Sequence, residues 1–106
     1  MPARAETSAK GFVGVITAEL HFSEVGSLKE KRMYLRRMRD RLTSRHSASF
    51  AEIGYQDLWQ RTRILVAVAA SDIRQLDVTL EAIDGYLHSQ EWDVTRLEEE
   101  VVEIDA

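Results

Sequence analysis

Polar and apolar positions along this chain alternate, switch to a helical period, and alternate again, twice over. From Phe12 to Phe22 (FVGVITAELHF), Phe12, Gly14, Ile16, Ala18, Leu20 and Phe22 fall on one face. Thr17, Glu19 and His21 punctuate the other, which predicts a strand with one face on a core. Ser27 then opens SLKE, a capping box in which Ser27 and Glu30 can satisfy each other's backbone amides. A helix should run to about Arg45, its stripe formed by Leu28, Leu35, Met38 and Leu42, with Tyr34 at the edge. Ser47 to Ile53 reads as a weaker strand, and Arg63 to Ala70 (RILVAVAA) as a central one. A second helix starts at Ser71 or Asp72, with a stripe of Ile73, Leu76, Leu80, Ile83 and Leu87. Val94 to Ile104 should be the last strand. Its alternation is broken by Glu98, Glu99 and Glu100, so a bulge or an exposed edge is expected.

The order βαββαβ predicts an α+β, ferredoxin-like domain. Right-handed crossovers impose a four-stranded antiparallel sheet of order 4-1-3-2 with both helices on one face. That topology gathers three connections at one sheet end: VGSLKEKR after the first strand, YQDLWQR (Tyr55 to Arg61) between the second and third, and HSQEWD after the second helix. YQDLWQR carries far more chemistry than a hairpin turn needs.

Length and composition narrow the classes. The 106 residues suit one domain, expected over 11–106, with 1–10 (MPARAETSAK) as a flexible tail. There is no cysteine, so disulfides, thiolate metal sites and thiol catalysis are excluded. No segment has the apolar length of a signal peptide or a membrane span, and a cytoplasmic location is expected. The net charge of −4 hides an asymmetry. Residues 1–71 hold 12 bases and 7 acids, while 72–106 hold 2 bases and 11 acids. Eight of the 14 bases lie between Lys29 and Arg45, which suggests either a basic working face or two solvated helices.

Candidate chemistry follows from these placements. Lys29 and Lys31 stand near the positive end of the first helix, where a cation is unfavourable and a bound anion would be favoured. Lys31 also falls inside the apolar stripe, where a long lysine stem can snorkel. Trp59 can stack a planar group or simply cap the core. Asp57 can hold an Asx-type turn or pair with Arg61 or Arg63. Gln56 and Gln60 are generic hydrogen-bonding groups. Enzymes and carriers of this topology find little here. Acylphosphatases use an asparagine and the chain has none, and metal-carrier domains use paired cysteines. His21, His46 and His88 lie on separate elements without ligand spacing, so neither metal nor cofactor is expected. The aliphatic Arg63 to Ala70 strand lacks the aromatics of a base-stacking sheet.

SLKEKR (Ser27 to Arg32), followed by QDLWQR (Gln56 to Arg61) leading into an aliphatic strand, resembles the YlxP-like family of bacteria. The resemblance covers roughly Gly11 to Ile104. It implies a ferredoxin-like fold and an association with translation and ribosome-maturation genes, and it brings no catalytic residues. Here Gly54 and Tyr55 stand where an acidic residue often precedes the second motif in the family.

The leading expectation is therefore a non-enzymatic RNA-binding or ribosome-associated factor. Ser27, Lys29, Lys31, Arg32, Arg36 and Arg39 would meet phosphates, with Asp57, Trp59, Gln60 and Arg61 forming the neighbouring wall. The alternatives are a regulatory domain holding a metabolite anion at the same loops, and a structural homodimer. Dimerisation is expected through the sheet face that the helices leave open, where Val13, Val15 and the second face of RILVAVAA lie.

Overall fold

The computed structural model describes residues 9–105. Its elements are β1 (Lys10–His21), α1 (Leu28–His46), β2 (Ser49–Gly54), β3 (Arg61–Ala70), α2 (Ile73–His88) and β4 (Asp93–Asp105). The four strands make one antiparallel sheet of order β2-β3-β1-β4, which is the expected topology. Most of the expected tail lies outside the described residues; Lys10, counted with it, is the first residue of β1 and pairs with Asp105.

Alternation along the central strands builds the core. Ile16, Ala18 and Leu20 of β1 and Ile64, Val66 and Val68 of β3 are buried under the helices. α1 closes over them with Lys31, Leu35, Met38 and Leu42, and α2 with Leu76, Leu80, Ile83 and Leu87. Each fully buried leucine or isoleucine contributes about 1.5–3 kcal/mol of transfer free energy, so these two rows dominate the stability. Ile73, expected on the second stripe, is instead 40% exposed: it is the first residue of α2, and the buried stripe begins one turn later at Leu76. Gly14 lets α2 approach β1: a Cβ there would come within 2.7 Å of a Leu80 methyl.

Caps set the helix limits. The Glu30 N–H donates to Ser27 Oγ at 3.1 Å, and Asp72 Oδ1 accepts from the N–H groups of Arg74 and Gln75. At the other end of α1, Ser47 adopts a left-handed φ of 51°, its N–H donating to Thr43 O at 3.1 Å. The Ala48 N–H reaches Leu42 O at 3.2 Å, completing a Schellman-type stop. Ser47 and Ala48 thus close the helix, and β2 begins two residues later than the propensity pattern indicated. Of the two alternatives for the glutamate run, the structure shows the exposed edge: β4 is an outer strand and Glu98, Glu99 and Glu100 are exposed, while the bulge in β4 lies elsewhere. Glu19 pairs with Arg96 and Leu20 with Val94, so the extra residue is Thr95 and not one of the three glutamates.

The register brings three loops together. His21, at the end of β1, pairs with both Arg61 and Asp93. The connections at 22–27, 55–60 and 89–92 therefore share one end of the sheet.

Candidate functional site

At that end, the side chain that organises the loops is Lys31. It is 1% exposed although it is a cation on a surface helix. Position 31 lies on the same stripe as Leu35, Met38 and Leu42, so its stem follows the core and its amino group emerges beneath the β2–β3 loop. There Nζ donates to Tyr55 O at 2.8 Å, Leu58 O at 2.7 Å and Arg61 O at 2.9 Å, with Gln56 O further off at 3.5 Å. Glu52 Oε2 stands 2.8 Å away and also accepts from Thr62 Oγ1 at 2.6 Å. An ammonium has three N–H donors, and here all of them are spent on carbonyls and one carboxylate. Lys31 was expected to meet a phosphate. The structure corrects this, because its amino group is buried inside the protein and already surrounded by acceptors.

The remaining loop residues pack around that centre. A turn closed by Leu58 N–H to Tyr55 O at 3.0 Å starts from Tyr55, whose φ of 58° is left-handed. Gly54, before it, lies so close to Arg63 that a Cβ would meet that side chain at 3.0 Å. Gln60 is not a generic surface amide. Its Nε2 donates to Val25 O at 3.1 Å and Ser23 O at 3.4 Å, tying the loop to the β1–α1 connection. The Gln60 carbonyl accepts from Phe22 N–H at 2.8 Å in the same join. Arg61 pairs with Glu19 at 3.3 Å and lays its guanidinium 4.2 Å from the Tyr55 ring centroid. Asp57 therefore does not have Arg61 as its partner, and it forms no ion pair within 4.0 Å among the described residues.

Two features of this rigid frame face solvent. Trp59 is 52% exposed beside a shallow pocket of about 340 Å³ lined by His21, Asp57, Leu58, Gln60 and Arg61. The second feature is the outer face of α1. Lys29, Arg32, Arg36 and Arg39 follow one another at helical spacing, all exposed, over a rise of roughly 15 Å. Arg32, Arg36 and Arg39 line a cavity of about 220 Å³ against Phe50 and Glu52 of β2, with Arg39 5.6 Å from the Phe50 ring centroid. The Glu52 carboxylate in that wall is the one held by Lys31 and Thr62. Ser27 serves as the helix cap and contributes its Oγ to Glu30. Of the ten residues singled out from sequence, Lys29, Arg32, Arg36, Arg39, Asp57, Trp59 and Arg61 present polar or aromatic surface, whereas Ser27, Lys31 and Gln60 hold the frame.

The two motifs that Lys31 joins, SLKEKR and QDLWQR, both fall within residues 13–101, the stretch matched by the family described as "Protein of unknown function (DUF503)". The chain belongs to the DUF503 family. A relative, "Uncharacterized protein YlxP" of Bacillus subtilis (strain 168), is 36% identical over 77 residues, covering 73% of this chain and 84% of the relative. Among solved structures, "De novo designed protein Foldit4" superposes with a TM-score of 0.52 over 91% of this chain and 98% of the design. At 12% identity that likeness concerns the fold alone.

Proposed function

We propose that this protein is a non-enzymatic RNA-binding or ribosome-associated factor of the cytoplasm, acting in ribosome maturation or translation. The observation that carries the reading is the row Lys29, Arg32, Arg36 and Arg39. None of these four cations has a carboxylate within 4.0 Å among the described residues. A row left unneutralised by the protein itself suits a string of phosphates, since binding then releases counterions without first breaking internal ion pairs. Trp59, standing out of a frame that Lys31 and Gln60 hold still, would add a stacking surface worth about 1–3 kcal/mol per base. A non-enzymatic role is consistent with Lys31, the buried amine nearest the loops, being fully engaged in structure.

Replacing Lys29, Arg32, Arg36 and Arg39 together with glutamate tests the reading. Retention of ribosomal RNA at physiological salt should be lost, while each exposed substitution changes stability by no more than about 0.5 kcal/mol. Equal retention by variant and parent would overturn it.

The pocket between His21, Trp59 and Arg61 favours a second reading, a metabolite anion held at the loops. One small anion would give a shallow salt dependence and many phosphates a steep one. We also propose that the chain pairs with a second copy through its open sheet face, a reading supported by Val13, Val15, Leu65 and Ala67, which no helix covers.

A further inference from the structure

On the solvent side of the helical layer, α1 and α2 enclose a depression of about 380 Å³. Arg41, Arg45 and His46 line it from α1, and Ala82, Gly85 and Tyr86 from α2. No carboxylate is among its lining residues. Asp84, next in sequence to Gly85, is engaged by His88 at 2.7 Å. Arg41 is held in position, its guanidinium carbon 4.9 Å from the Tyr86 ring centroid, and Tyr86 in turn packs edge-on against Trp92 at 6.1 Å. The floor is small: a Cβ added to Gly85 would meet nothing within 4 Å, so open space begins directly above the helix. Ser89, also at the rim, spends its hydroxyl proton on Tyr86 O at 2.9 Å, leaving Arg41, Arg45, His46 and the Tyr86 hydroxyl as the side-chain donors.

The negative end of α1 accounts for Arg45 and His46 in its last turn. It does not account for Arg41, more than a turn earlier, or for a lining that holds three basic side chains and no carboxylate. Burial, followed by the charges of Arg41 and Arg45, lowers the His46 pKa below the ordinary histidine value, so both guanidinium charges are felt at the ring. An anion there would offset that repulsion.

We propose that this groove is a second anion site, separate from the RNA-facing row, that takes one doubly charged phosphate group, free or at the end of a small phosphomonoester. Two guanidinium groups and an imidazole converging on one concavity match a dianion with several acceptor oxygens better than they match a singly charged diester. The site stands independently of the proposed RNA-binding role.

The test is an NMR titration of the whole chain with inorganic phosphate, and separately with ribose 5-phosphate, chloride holding the ionic strength constant. Saturable shifts are expected at the His46 ring and at the Gly85 and Ser89 amides. Tighter binding of ribose 5-phosphate assigns the site to a phosphomonoester, and equal or weaker binding to free phosphate. Arg41→Ala and Arg45→Ala should each weaken binding roughly tenfold. Gly85→Leu should abolish it while keeping or raising the melting temperature, because leucine fills the open space and is the better helix former. Arg36→Ala and Arg39→Ala should leave it unchanged, and Arg41→Ala and Arg45→Ala should still retain RNA. Shifts that grow linearly without saturation, spread equally over Arg36 and Arg39, would overturn the proposal. So would saturable binding that survives Gly85→Leu.

Discussion

Trp59 and Trp92 stand in loops at the same end of the sheet, yet they meet opposite conditions. Trp92 is 6% exposed, donates its indole N–H to Leu87 O at 2.8 Å, and packs edge-on against Phe22, Tyr34 and Tyr86. Trp59 is about half exposed and flanks an open pocket. Trp92→Ala should therefore lower the unfolding free energy by about 3–5 kcal/mol, as large aromatic truncations in cores do. Trp59→Ala should cost less than about 1 kcal/mol and weaken RNA retention. Denaturant unfolding of both variants checks the pair, and comparable losses in the two would contradict this assignment. In the sequence the two residues look alike, since each stands in a short connection rich in polar residues. What separates them is the aromatic cluster of Phe22, Tyr34 and Tyr86, drawn from a loop and both helices.

Strands, helices and their order were legible because their periods are clean: the alternation through Ile16, Ala18 and Leu20, the stripe of Leu35, Met38 and Leu42, and the cap at Ser27. Lys31 was legible as an anomaly on that stripe, but its role was not. A sequence lists side chains and says nothing of where carbonyls point, and the partners of Lys31 are mostly carbonyls. The chemical richness of YQDLWQR has the same explanation. Its backbone binds Lys31, Gln60 clasps the neighbouring loop, Tyr55 and Arg61 stack on each other, and Trp59 is left outside. Lys31→Met should remove the cation while leaving Glu52 and the loop carbonyls in place, costing about 3–5 kcal/mol. Adding Glu52→Gln should recover part of that loss, because the two residues share one network. Thermal unfolding of the single and double variants reads this directly. A loss below about 1 kcal/mol for Lys31→Met would remove the lock from the account.

Over the whole molecule, the charge asymmetry of the sequence becomes a spatial one. α1, with its arginines, packs over β2, while the glutamates of β4 lie at the opposite edge of the sheet. Between them the open face carries Val13, Val15, Leu65 and Ala67. The register places Leu65 opposite Thr17 on this face, whereas Val66 is fully buried on the other. Leu65→Asp is therefore the substitution that separates a dimer without entering the core. Light scattering at tens of micromolar should report twice the chain mass for the parent and the single mass for the variant. A monomeric parent would contradict pairing through this face.

The central claim, that the exposed row on α1 meets phosphates, is tested most directly by the salt dependence of RNA binding. For single-stranded RNA the slope of log K against log salt is about −0.7 per phosphate neutralised, so four contacts predict a slope near −2.8. Replacing Lys29, Arg32, Arg36 and Arg39 one at a time with alanine should each make the slope shallower by about 0.7. A parent slope near zero, or a slope that the four substitutions leave unchanged, would contradict the account.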